Sequence, residues 1–234
     1  MKIINKIVFF IALFSICINS YAWKVKSDST IYAGFWGGSS FSHIDNFLGN
    51  TSLYSGFCGG VSIVFVFNPE LAFRSGFSMI NKGNCYQQIF CDVYGNSIGE
   101  YKTYNKFSYL SIPADLSFNL GRRKFNLFIS AGFHLGILTK QTTYAKLPST
   151  YNGNEVTPIN INNTDECRKL NFGINAGLGM EYKLKPNLIV YAELKYEHGF
   201  TNIYKVSSSY ILKHRGYYAG VGVRFGIPIT YSRY

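Results

Sequence analysis

The chain has 234 residues with 23 basic side chains against 12 acidic ones, and it is 18% aromatic but only 15% charged. A soluble domain usually carries about a quarter charged residues, so this composition excludes an ordinary water-coated globule. The formal charge of +11 comes without dense Lys/Arg runs or a recognition motif. That excludes nucleic acid as the natural partner and points instead to anionic headgroups or outer-leaflet phosphates.

Met1 to Ala22 reads as a secretory leader (residues 1–22). Lys2 and Lys6 give its charged start, Ile7 to Ile18 its apolar core, and Ser20-Tyr21-Ala22 its cleavage site. The apolar core falls short of the roughly 18–20 residues that a membrane helix needs. Cys17 could mark a lipoprotein signal, but the bulky Ile16 directly precedes it. The mature chain is expected to begin at Trp23 and to be exported, with a short segment over 23–29, a barrel over 30–228 and a tail over 229–234.

From Thr30 the chain alternates with a period of two, the signature of strands with one apolar and one polar face. The expected strands are Thr30 to His43, Leu53 to Phe67, Glu70 to Ile80, Phe107 to Leu120, Phe125 to Leu138, Leu170 to Leu184, Leu188 to Glu197 and Tyr217 to Phe225. The fourth and fifth form the central hairpin about Gly121-Arg122-Arg123-Lys124. In the sixth, Phe172, Ile174, Ala176, Leu178 and Met180 alternate with Asn171, Gly173, Asn175, Gly177 and Gly179. Ordinary strands run about 5–6 residues, whereas a tilted bilayer crossing takes roughly 9–11. The longer runs are of membrane length.

The connections are lopsided. Asn68-Pro69, Gly121 to Lys124 and Lys185-Pro186-Asn187 are short turns. His43 to Ser52, Asn81 to Asn105, Thr139 to Lys169 and Thr201 to Gly216 are long, and part of the second is expected to be strand, with Tyr94-Gly95-Asn96-Ser97 a hairpin tip standing above the membrane. Short periplasmic turns and long outer loops are the plan of outer-membrane barrels.

A secreted lipocalin-like barrel also has eight strands, with its apolar face inside. Three features favour the membrane arrangement. The polar faces are mostly Gly, Ser and Asn, where a water-washed exterior would be rich in Lys and Glu. Their few charges, Arg74, Lys195 and Arg224 against Asp115, Glu181, Glu193 and Glu197, suit a narrow lumen in which buried charges must pair. Phe65, Phe67, Phe107, Tyr109, Phe125, Tyr182, Tyr196 and Tyr217 gather near strand ends, where interfacial girdles sit. The expected fold is therefore all-β: an eight-stranded antiparallel up-and-down transmembrane β-barrel, forming one domain and one monomer.

Tyr109-Leu110-Ser111-Ile112-Pro113-Ala114, followed by the Ala131-Gly132-Phe133 strand, resembles the outer-membrane β-barrel domain of Bacteroidetes-type porin-family, or PorT-like, proteins. Lys82-Gly83 and the stretch from Tyr196 to Ile203 are similar to the same pattern. The resemblance spans nearly the whole mature chain and implies fold more than activity. Through PorT-like relatives it implies help with protein export across the outer membrane as one role.

Chemistry-bearing residues are sparse. Among Cys58, Cys85, Cys91 and Cys167, the last three fall in or beside outer loops, where an oxidising periplasm would permit a disulfide. Cys85 and Cys91 lack the His/Cys company of a metal site. His134 faces the lumen and is the one hint of a general base, against the simpler reading of a hydrogen-bonded lumen histidine. A barrel enzyme acting on outer-leaflet lipid would need a Ser or Asp beside it near the outer rim. Lys140, Lys146, Arg168, Lys169, Lys205, Lys213 and Arg215 either grip lipopolysaccharide phosphates or form a solvated loop surface. The reading is a non-enzymatic outer-membrane barrel without cofactor or nucleic acid. It has a structural or surface-interaction role toward lipid, lipopolysaccharide or an envelope or extracellular protein, with narrow solute passage at most.

Overall fold

A computed structural model describes residues 30–45, 51–92, 94–121, 124–147, 150–151, 154–155, 160–205 and 211–228. The expected leader, the segment 23–29 and the tail 229–234 lie outside the described residues. Five long strands come first: β1 (Thr30–Asp45), β2 (Thr51–Val66), β3 (Leu71–Cys91), β4 (Ser97–Asn119) and β5 (Phe125–Ala145). Short strands β6 (Thr150–Tyr151), β7 (Asn154–Glu155) and β8 (Asn160–Asn162) and a 3-10 turn at Thr164–Glu166 follow. Three more long strands, β9 (Leu170–Lys185), β10 (Leu188–Gly199) and β11 (Lys213–Pro228), complete the chain.

The eight long strands form one antiparallel ring in the order β4-β3-β2-β1-β11-β10-β9-β5, and the β4–β5 pairing closes it. In the closing pair of termini, Phe35 on β1 lies opposite Val223 on β11. A closed ring satisfies every ladder group and leaves no edge, as lipid demands.

The two faces separate as the alternation predicts, with the apolar face outward. Val221 is 65% exposed, Leu178 60% and Phe77 53%, while Asp115 and Arg224 are only 1% and 2% exposed. A lipocalin-like barrel has the reverse arrangement. Inside, small residues stand across from large ones. A Cβ at Gly222 would lie 2.6 Å from the Tyr191 ring, and one at Gly179 would lie 2.3 Å from the Phe128 ring. Glycine is required at both positions because the rings fill the bore.

The inner turns are short and stapled by asparagines. Asn68 Oδ1 accepts the backbone N–H groups of Glu70 (2.9 Å) and Leu71 (2.8 Å), and Asn126 Oδ1 accepts that of Gly121 (2.8 Å). On the outer side the strands run further than their expected bounds. The hairpin tip at Tyr94 to Ser97 is where it was expected, and Asn81 to Asn105 beneath it is mostly strand, since β3 and β4 continue as a paired ribbon up to Cys91 and Ser97. Apolar alternation ends where the ribbon leaves lipid, but the pairing does not. Thr139 to Ala145 likewise belongs to β5. Phe107 and Tyr109, expected in the interfacial girdle, are buried inside the barrel instead, because they share the odd-numbered face of β4 with Ser111 and Asp115.

The β3–β4 ribbon ends in a turn organised by Asp92. Its Oδ1 accepts the backbone N–H groups of Tyr94 (2.9 Å) and Asn96 (2.8 Å), and its Oδ2 accepts the Asn96 amide at 3.0 Å. Gly95 adopts φ +84°, a conformation glycine takes without penalty. The Asn96 side-chain and backbone N–H groups hold the Asp92 carboxyl below its ordinary range. A depressed carboxylate contributes its stability above the unfolded pKa and loses it as pH falls through the folded one. Hydrogen exchange should therefore show protection of the Asn96 amide, corrected for intrinsic rate, declining at the acidic end. Asp92→Ala should abolish that protection at neutral pH while barrel melting stays unchanged.

Candidate functional site

The interior that the eight strands enclose is a stack of ion pairs under an apolar plug. Nearest the short turns, Arg224 on β11 pairs with Glu181 on β9. The Arg224 guanidinium carbon lies 3.7 Å from the centre of the Tyr191 ring, so the cation is sandwiched where it is shielded from water. One level outward, Arg74 on β3 reaches across the bore and donates to both Glu193 oxygens, at 3.2 and 2.8 Å. Its guanidinium also sits 4.4 Å from the centre of the Phe128 ring. Beside it, Lys195 donates to Asp115 Oδ2 at 2.7 Å and lies 3.6 Å from Glu193.

Further outward, Glu197 on β10 gathers three partners: Lys82 from β3, His134 from β5 (2.9 Å) and the Tyr218 hydroxyl from β11. Above them, the Tyr109 hydroxyl meets His214 Nε2 at 3.2 Å. The mouth is then closed by Ile44, Phe107, Tyr109, Leu138, Cys167 and Ile203, with Tyr204 and Leu212 packed against them. The connections that form the plug are tied to each other, since Cys167 bridges to Tyr204 and Ile203 N–H donates to Leu212 O at 2.9 Å, and to the barrel, since Leu138 N–H donates to Lys169 O at 2.7 Å.

All seven residues expected to form a lumen charge network (Arg74, Asp115, Glu181, Glu193, Lys195, Glu197 and Arg224) face this interior. That set has three cations against four anions, and the fourth cation is Lys82, which leaves four of each. Lys82 was not legible as a lumen residue because the expected third strand stopped at Ile80. Continuing the even-numbered face of Arg74, Ser78 and Ile80 by one step would have found it. His214 was hidden in the same way by an eighth strand drawn to begin at Tyr217, whereas Tyr218 lay within that strand on the face of Arg224.

The remaining space is small. A central cavity of about 60 Å³ lies among Arg74, Asp115, His134, Asn175 and Glu197, room for a few waters. A wider vestibule of about 340 Å³ opens at the inner mouth, around Tyr32, Asn119, Lys183 and Arg224.

Other expected site residues separate. Cys85, Cys91 and Cys167, the possible disulfide cysteines, stand as free thiols. Cys85 and Cys91 share one strand six residues apart, roughly 20 Å of extended chain, beyond what a disulfide spans. Burial pushes the Cys167 thiol in the plug up to about 11, which keeps it neutral and unreactive. The expected lipopolysaccharide contacts also divide. Arg168 donates to Tyr204 O (3.3 Å) and Lys205 to Asp165 O (2.5 Å), so both brace the plug. Arg215 pairs with Asp45 at 2.6 Å, and Lys213 lies opposite Asp45 in the β1–β11 ladder. Lys169 is exposed beside the plug, and Lys140 and Lys146 are exposed on β5 and just beyond it.

Residues 26–205 match the model of a family described as outer membrane protein beta-barrel domain. No curated protein matches the sequence. Among solved structures, a major outer membrane protein from Thermus thermophilus aligns with TM-score 0.50 at 13% identity, over 85% of this chain and 99% of that one. Neisserial surface protein A aligns with TM-score 0.45 at 14% identity, over 83% and 96%. The N-terminal β-barrel domain of Pseudomonas aeruginosa OprF aligns with TM-score 0.44 at 13% identity, over 86% and 98%. At such identities the likeness to the Thermus protein is one of fold.

Removing one member of a buried ion pair strands its partner and costs about 3–5 kcal/mol, whereas replacing both members by apolar groups is often tolerated. Lys82→Met should therefore lower the temperature at which the folded barrel loses its fast gel mobility. Lys82→Met combined with Glu197→Leu should recover part of that loss. Equal melting of the wild type and the single variant would count against a buried pair at this level.

Proposed function

The chain belongs to the outer membrane protein β-barrel family, and on that premise we propose that it is a closed surface scaffold whose outer end, and not its bore, does the work. The observation that carries this reading is the filled lumen. Apolar side chains seal the outer mouth, four levels of paired polar groups occupy the axis beneath them, and the central cavity among those groups is only about 60 Å³. A narrow barrel packed in this way is a strut through the membrane. It holds the β3–β4 ribbon, the β5–β9 connection and the plug at the cell surface, where they meet outer-leaflet lipid or an envelope protein.

Two narrower roles find less support. Acting on outer-leaflet lipid would require a base at the rim, yet His134 is buried against Glu197 deep in the bore. The PorT-like resemblance rests on Tyr109–Ala114 and similar short stretches. Those residues serve the barrel wall and its interior packing, so they speak for architecture and not for export.

The test is planar-bilayer recording on refolded protein, with mobility before and after boiling as the folding control. A folded barrel should give no discrete conductance steps. Reproducible steps would overturn the closed-scaffold reading and turn attention to the lumen cations.

A further inference from the structure

The β4–β5 ladder changes character at one residue. Up to Leu138 the two strands pair as Leu110 with Ile137 and Tyr109 with Leu138; the next pair is Ser108 with Lys140. Thr139 is skipped, and its hydroxyl donates to Ser108 O at 2.9 Å. A bulge of this kind re-aims every later side chain. Below it the odd-numbered residues of β5 (Leu135, Ile137) face lipid. Above it the odd-numbered Gln141 and Ala145 are buried, and the even-numbered Lys140 and Lys146 are exposed. β4 has no such switch, so Lys102, Tyr104 and Lys106 keep the outward parity of Leu110.

The result is a basic face on the outside of the barrel. From the membrane upward its rungs are Ser108 with Lys140, Lys106 with Thr142, Tyr104 with Tyr144, and Lys102 beside Lys146, whose backbone N–H donates to Lys102 O at 3.3 Å. The tyrosine rings stack with centres 5.0 Å apart and planes at 11°, and the Lys146 ammonium lies 5.5 Å from the Tyr104 ring. None of the four lysines has a carboxylate partner among the described residues. Like charges directly opposite on paired strands destabilise them, so Lys102 and Lys146 call for an external anion. Height is the second constraint. The lowest rung stands one step above the Leu110–Ile137 pair that still faces hydrocarbon, so the face lies at headgroup depth of the outer leaflet.

We propose that this face, Lys102, Lys106, Lys140 and Lys146 around the Tyr104–Tyr144 stack, docks the phosphate groups of an outer-leaflet lipid. The proposal rests on the surface-scaffold reading and gives it a partner. Lysines 140 and 146 were among the expected lipopolysaccharide contacts; Lys102 and Lys106 join them, and the braced or paired Arg168, Lys205 and Arg215 do not.

The test uses the folded protein in nanodiscs of neutral phospholipid, with bound lipid read by native mass spectrometry. The probes are bisphosphorylated lipid A, its dephosphorylated form and inorganic phosphate. Each cation at an anionic membrane surface is worth about fivefold in binding. A variant carrying K102Q, K106Q, K140Q and K146Q should therefore bind bisphosphorylated lipid roughly six hundredfold more weakly than the wild type. The K183Q/K185Q variant, on the inner rim, should retain as much as the wild type. If the fourfold variant fails to fold by gel mobility, K102Q/K146Q serves in its place and should still show a loss of at least about tenfold. Equal retention by wild type and variant would overturn the proposal. So would equal binding of the dephosphorylated lipid, or displacement by inorganic phosphate at the same concentration, which would mark a general anion site. Bilayer conductance separates the two readings: a silent barrel without lipid preference refutes only the docking face, and a conducting barrel that keeps its lipid refutes only the closed lumen.

Discussion

The constraint behind every other feature is that the backbone must satisfy all its hydrogen bonds without water. Each unpaired group in hydrocarbon costs several kcal/mol, so the sheet has to close, and here it closes through β4 and β5 after eight strands. Eight strands leave a bore just wide enough for side chains. The interior then obeys two rules at once. Volumes must interlock, which places Gly222 under Tyr191 and Gly179 under Phe128, and charges must cancel within reach of one another. Arg74 crosses from β3 to a carboxylate on β10, and Lys82 does the same one level higher. Both pairs join walls that the ring order sets four places apart, so they brace the barrel across its axis.

Much of this was legible in the sequence, because the bilayer imposes the pattern. Where hydrocarbon lies outside and a polar bore inside, alternation is strict, and the spans around Phe125 to Leu138 and Leu170 to Leu184 read cleanly. Above the membrane both faces meet water or protein, so polarity no longer reports orientation. For that reason the β3–β4 ribbon beyond Ile80 read as a long connection that is strand only in part, and the facing of Lys82 was not legible. Phe107 and Tyr109 misled for a related reason. Aromatic residues near a strand end fit a girdle, and only parity with Ser111 and Asp115 shows that they point inward.

The Thr139 bulge was invisible for a deeper reason. A single inserted residue leaves composition and local propensity untouched, yet it reverses the facing of every residue beyond it. Reading straight through, Lys140 would point into the bore and Gln141 toward solvent. The structure has Gln141 buried, donating to Thr143 Oγ1 at 3.0 Å and accepting from Asn163 N–H at 3.1 Å. One amide thus helps knit the β5–β9 connection to the barrel wall while its neighbour faces out.

These features divide the molecule by height. At the inner end a vestibule narrows onto Arg224 and Glu181. At mid-depth, ion pairs fill the axis. At the outer end, an apolar plug replaces charge. Sealing with apolar groups is the physically sensible choice there, because an ion pair at a water-facing mouth is screened and weak, while packed side chains such as Phe107 and Ile203 keep excluding water. What distinguishes the outer surface is therefore not an opening but lysines without a carboxylate partner among the described residues, and a ribbon above them. A barrel that spends its interior on bracing and its mouth on closure leaves its outer wall as the part free to recognise something.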